Sequence, residues 1–107
     1  MVTYIYCFDI DETLCTTQGL EYFEATPKLE RIKKVNELYD AGHTIKLYTA
    51  RGSKTGVDWR KITEYQLSSW GLKYHELKFG KPFADFYIDD KGIIDSDFDW
   101  TMKKTYL

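Results

Sequence analysis

Val2-Thr3-Tyr4-Ile5-Tyr6-Cys7-Phe8 runs directly into Asp9-Ile10-Asp11-Glu12-Thr13. The first seven residues are apolar, aromatic or β-branched, which suits a buried strand. In the next five, Asp9 and Asp11 put two carboxylates and Thr13 a hydroxyl where that strand ends, with Glu12 between them. A strand-then-helix pattern follows. Thr26-Pro27 carries a helix-start signature, Thr26 suiting the N-cap and Pro27 the first helical position. Leu29, Ile32, Val35, Leu38 and Tyr39 recur at helical spacing, and Gly42 stands where a left-handed C-terminal cap is expected. His43 to Tyr48 predicts a second strand. Thr55 or Asp58 can cap a second helix with Trp59, Ile62, Tyr65 and Trp70 as its apolar side and Gly71 closing it. Tyr74 to Phe79 predicts a third strand and Asp85 to Ile88 a fourth. This alternation predicts an α/β fold, a parallel sheet with helices on both faces.

Such sheets bind ligands beyond the carboxyl ends of their strands. The first strand is followed by Asp9-Ile10-Asp11-Glu12-Thr13, the second by Thr49-Ala50-Arg51-Gly52, the fourth by Asp89-Asp90-Lys91-Gly92, with Gly80-Lys81-Pro82 between. Four carboxylates, a hydroxyl and a cation would converge on one crevice. Clustered carboxylates repel unless a cation sits among them, and hard oxygen ligands favour Mg²⁺.

The chain of 107 residues fits one domain, 1–107, since domains most often hold about 100–150 residues. Fifteen Lys and Arg against seventeen Asp and Glu leave a net charge of −2. A nucleic-acid-coating or membrane-surface protein needs a strong basic field, so neither is expected. At 43% apolar and 17% aromatic residues the chain can bury a core, which excludes disorder. No apolar run approaches a membrane span, the start has no basic-then-apolar leader pattern, and two cysteines are too few for a disulfide scaffold. A cytoplasmic protein with reduced thiols is expected.

In these motifs the chain resembles the haloacid-dehalogenase-like (HAD) phosphatases over essentially its full length. The first motif is Asp9, Asp11 and Thr13; the second is Thr49 at a strand end; the third is Lys81; the fourth is Asp89-Asp90. Tyr48-Thr49-Ala50-Arg51-Gly52-Ser53, Gly80-Lys81-Pro82 and Phe86-Tyr87-Ile88-Asp89-Asp90-Lys91 further resemble small capless members linked to capsule and other surface-polysaccharide biosynthesis. The resemblance implies a Rossmann-like sheet of the HAD type. It implies Asp9 as nucleophile forming an aspartyl-phosphate, and Asp11 as general acid and then base. Thr49 and Lys81 would hold phosphate oxygens. Mg²⁺ would be held by Asp9, Asp89 and the backbone carbonyl of Asp11, with Asp90 binding directly or through water. An Asp two residues after the nucleophile is similar to phosphatases and phosphomutases rather than dehalogenases. Leu14 to Pro27 is too short for a cap domain and Ser53 to Gly80 is filled by one helix and one strand, so no cap is expected and Leu14 to Ala25 is read as a flap, with Tyr22 or Phe23 over the site. An open site has to exclude water by other means, a neighbouring subunit of a homo-oligomer being one.

The expected substrate is a small phosphomonoester, a sugar or polyol phosphate. Glu12 stands where the family commonly has Gly, and Asp-Ile-Asp-Glu-Thr-Leu also resembles protein phosphatases acting on phosphoserine tails. A nucleic-acid 3′-phosphatase and an inactive Mg²⁺-binding module are compatible with the same residues. Arg51 is read as either gripping substrate or pairing with an acid. Lys81 is preferred to Lys78 as the phosphate cation. Trp59 and Trp70 are read as core, Cys15 as a small apolar residue, and His43 and His75 as structural. Asp95, Asp97 and Asp99 lack the Gly and Glu of a calcium loop, with Trp100 at the Gly position.

Overall fold

The computed structural model describes residues 2–17 and 21–101. In chain order it contains β1 (Ile5–Asp9), β2 (Cys15–Thr16), a 3₁₀ turn (Tyr22–Glu24), β3 (Thr26–Pro27), α1 (Leu29–Asp40), β4 (Thr44–Tyr48), α2 (Arg60–Ser69) and β5 (Glu76–Lys78). The main sheet has the order β1-β4-β5 and is parallel throughout. Its register pairs Tyr6 with Ile45, Phe8 with Leu47, and Leu47 with Leu77. Parallel neighbours need long crossovers, and α1 and α2 supply them.

Side chains alternate across a strand, so the register separates two faces. One carries Tyr6, Phe8, Ile45, Leu47 and Leu77; Ile32, Val35 and Leu38 of α1 and Leu67 of α2 join the same core. The other carries Ile5, Cys7 and Asp9 beside Thr44, Lys46 and Tyr48. Ile5 is 67% exposed there, and Lys46 pairs with Glu76 at 3.4 Å. Helices were expected on both faces; among the described residues they cover one. Both crossovers step the same way along the sheet, and right-handed connections then lay their helices on a single side.

The expected stops are present: Gly42 and Gly71 adopt φ of +96° and +70° just past α1 and α2. Three expectations differ. Thr26-Pro27 does not start α1 but forms β3, pairing with β2, and the Lys28 N–H donates to the Leu14 carbonyl at 2.9 Å. Pairing residues 14–16 with 26–28 satisfies these backbone groups and delays the helix to Leu29. In α2 the buried residues are Thr63, Gln66 and Leu67, whereas Ile62 and Tyr65, expected on the apolar side, are 42% and 75% exposed. The fourth expected strand, Asp85 to Ile88, is not formed. Phe86 and Ile88 are 84% and 96% exposed, and Asp89 closes a local turn by accepting the Lys91 N–H at 2.7 Å and the Gly92 N–H. Such side-chain-to-backbone bonds compete with strand pairing.

Candidate active site

Three chain segments meet beyond the carboxyl ends of the strands. Asp9 is the last residue of β1 and Asp11 lies two beyond it. Thr49 and Arg51 follow β4, and Lys81 follows β5. Backbone bonds stitch the last two segments together: the Thr49 N–H donates to the Lys78 carbonyl at 3.0 Å, and the Lys81 N–H to the Thr49 carbonyl at 3.2 Å. Lys81 Nζ stands 3.5 Å from Asp9 Oδ1 and 4.2 Å from the Tyr87 ring centre. Lys81, and not Lys78, is therefore the cation at Asp9. Burial pushes the Asp9 carboxyl above its ordinary range; Lys81 opposes this and neighbouring Asp11 adds to it.

Asp11 has a different partner. Arg51 Nε and Nη2 donate to its two carboxylate oxygens at 3.0 and 2.9 Å, a fork-to-fork pair. Arg51 Nη1 donates to Thr63 Oγ1 at 3.0 Å and Gln66 Oε1 at 2.6 Å. The Arg51 side chain is 0% exposed, and Tyr22 lies under its guanidinium at 4.8 Å. Of the two readings left open for Arg51, the structure shows the acid pair, with the guanidinium buried and bonded to Asp11, Thr63 and Gln66. Thr49 is buried, and its Oγ1 accepts the Arg51 backbone N–H at 3.1 Å.

The apolar pattern does not single out Thr63 or Gln66 as site residues; Tyr22, which the flap reading places over the site, lies against Arg51. Hydrophobicity ranks Ile62 and Tyr65 above Thr63 and Gln66, yet a buried Arg51 needs polar acceptors. The available signal was that Thr63 and Gln66 share one side of α2 with Leu67 and Trp70 (spacing i, i+3, i+4, i+7). Cys15 is fully buried, with its Sγ 3.6 Å from both the Ile10 carbonyl and Asp11 Oδ1. Burial pushes its thiol up to about 12, in keeping with a small packing residue. Trp59 is edge-on to Tyr22 and stacked on Phe23, so it packs against the flap rather than into the main core. Beside Arg51 lies a cavity of about 230 Å³ lined by Gly52, Ser53, Trp59, Arg60 and Gly80 among others.

A crystal structure of a structural-genomics target from Vibrio cholerae has the same fold. It matches at a TM-score of 0.79 and 25% identity, over 95% of this chain and 90% of that one. No family model and no curated protein matches the chain. The shared α/β architecture therefore extends over nearly the whole chain.

Asp89 and Asp90 are not brought to Asp9 and Asp11. Both are exposed in the loop after Ile88, where the Lys91 and Gly92 N–H groups hold the Asp89 carboxyl below its usual range. Among the described residues, no three His, Cys, Asp or Glu side chains are grouped to hold a metal ion. Of the expected Mg²⁺ ligands, Asp9, which faces Lys81, and the Asp11 backbone carbonyl lie at the end of β1, whereas Asp89 and Asp90 lie in the exposed loop. As placed, these residues do not fit the ion.

Proposed function

We propose that the chain is a phosphatase acting on a small phosphomonoester, with Asp9 as its nucleophile. The observation that carries this reading is a carboxylate at the end of a parallel strand, 3.5 Å from Lys81 and beside the Arg51-held Asp11. Asp9 must attack as the anion, and Lys81 favours that form against the opposing effect of burial. Attack on phosphorus forms the Asp9–phosphate bond and breaks the bond to the leaving oxygen. That oxygen takes a proton from Asp11. Water then attacks the acyl-phosphate, giving its proton to Asp11 and releasing inorganic phosphate and the Asp9 carboxylate. Lys81 would counter charge on the phosphate oxygens; Thr49, the other residue expected to hold them, is buried with its Oγ1 accepting the Arg51 backbone N–H. No step is assigned to Mg²⁺, because Asp89 and Asp90 stand away from the pair.

The narrower reading, a sugar or polyol phosphate used in surface-polysaccharide synthesis, rests on the resemblance of residues 48–53, 80–82 and 86–91. The test is phosphate release from sugar, polyol and amino-alcohol phosphates, nucleotides, a phosphoserine peptide and a 3′-phosphorylated oligonucleotide, each with Mg²⁺ and with EDTA. Selective release from one small phosphate is expected. Turnover of the peptide or oligonucleotide alone would replace the reading with a macromolecular phosphatase, and silence on all would leave a binding module. The EDTA arm reads metal dependence directly.

A further inference from the structure

A side chain can orient a reacting group only if it is itself held, and Arg51 is held from several sides. Its guanidinium grips both oxygens of Asp11, while Nη1 is fixed by Thr63 and Gln66 one turn apart on α2. The Gln66 amide donates in turn to the Tyr22 carbonyl, and the Tyr22 ring lies 4.8 Å from the guanidinium carbon. The loop after β4, helix α2 and the 3₁₀ turn therefore converge on one buried cation, whose exit towards the site is Asp11. We propose that Arg51, braced by Thr63 and Gln66, is a positioning residue that sets the direction of the Asp11 carboxylate during proton transfer. This rests on the phosphatase reading. The pair needs Arg in particular. A lysine ammonium at the same place could not span two Asp11 oxygens and two acceptors on α2 at once, because it lacks the planar fork.

Misplacement of a reacting group by about 1 Å can cost about 10²-fold in rate. The test compares wild type with Arg51→Lys, Arg51→Ala, Thr63→Val and Gln66→Met, using kcat, KM and thermal unfolding on whichever phosphomonoester the wild type hydrolyses. Arg51→Lys and Arg51→Ala should lose about 10²-fold in kcat with KM within about threefold, and millimolar guanidinium chloride should restore part of the Arg51→Ala rate. Thr63→Val and Gln66→Met should lose about tenfold, again in kcat. They decide the matter if Arg51→Ala fails to fold, since each removes one acceptor and leaves the Asp11 pair in place. Unchanged kcat in folded Thr63→Val, Gln66→Met and Arg51→Lys would overturn the proposal. So would a rise in KM at constant kcat, which would make Arg51 a substrate contact. Wild type without phosphate release, or Asp9→Asn that retains it, would overturn the phosphatase reading itself and this inference with it.

Discussion

A buried guanidinium has to find an acceptor for each donor it turns inward, because an unpaired buried charge is strongly unfavourable. Arg51 meets this demand with Asp11, Thr63 and Gln66. Sequence placed Arg51 near the site but could not say which way it points, since both a substrate and a neighbouring acid satisfy a guanidinium. Glu12 is a second residue-scale case. It occupies a position where the resembled family commonly has Gly, and it adopts φ +65°, in the left-handed region that favours glycine. Its carboxylate accepts the Thr17 N–H and hydroxyl, both at 2.8 Å, which offsets the strain and holds its pKa low. Glu12→Ala keeps the strain and loses both bonds, whereas Glu12→Gly loses the bonds and the strain together. Urea unfolding should therefore find Glu12→Ala the less stable by about 1 kcal/mol; the reverse order would mean that φ +65° carries no strain. Asp9 gives a pH prediction. Its pKa is raised by folding, so the folded state binds the proton more tightly and loses stability as pH rises through the raised value. Asp9→Asn removes that loss. Its Tm should exceed wild type at neutral pH, with the gap closing on acidification below the ordinary carboxylate range. A gap independent of pH would contradict the burial of this charge.

Elements were legible where period and punctuation agreed. Ile32, Val35 and Leu38 make one stripe, Gly42 ends it, and α1 follows. In α2 the stripe is rotated by one residue because Arg51 draws Thr63 and Gln66 inward, a long-range demand that local hydrophobicity does not carry. Asp85 to Ile88 is a four-residue stretch with only three apolar residues, too short for periodicity to identify. The turn at Asp89 and the exposure of Phe86 and Ile88 show where that reading fails. The segment after it is tied down instead by Arg31, which donates to Asp95 Oδ2 at 2.6 Å and to the Thr13 carbonyl at 2.9 Å and lies 4.7 Å from the Trp100 ring. Phe98 and Trp100 then pack on Phe8. The Arg31 bond holds the Asp95 carboxyl below its usual range, so this clasp stabilises above the unfolded pKa and is lost as pH falls through the lowered value. Asp95→Asn should cost about 1 kcal/mol at neutral pH and nothing in strong acid. Equal stability of the two proteins at neutral pH would show that the clasp is only a surface contact. His43 and His75 are structural, as expected. Their Nδ1 atoms accept the Tyr4 and Ile45 backbone N–H groups at 3.0 and 2.9 Å, tying the starts of β1 and β4 to their neighbours.

Across the whole molecule, three parallel strands bring Asp9, Thr49 and Lys81 to one end of the sheet, and this much of the site followed from the strand-end rule. The pairing of Asp9 with Lys81 was legible because Gly80-Lys81-Pro82 resembles the family's third motif. The Asp89-Asp90 arm was not, since its arrival depended on a fourth strand whose pairing is a long-range event. Gly52 shows how tightly the loop after β4 is drawn in: at φ +81°, an added Cβ would stand 2.1 Å from the Val57 carbonyl oxygen. Gly52→Ala should destabilise by more than about 1 kcal/mol and lower activity with it, by displacing Arg51. A stable Gly52→Ala would show that the loop has room the structure denies it. The chemistry proposed for the site turns on Asp9 carrying the phosphoryl group. Rapid acid quenching of turnover on the best substrate, followed by peptide mass spectrometry of wild type and Asp9→Asn, tests this at the atom concerned. Phosphate is expected on Asp9 in the wild type, sensitive to hydroxylamine, with neither adduct nor turnover in Asp9→Asn. Turnover that persists in Asp9→Asn, or an adduct on another residue, would contradict it.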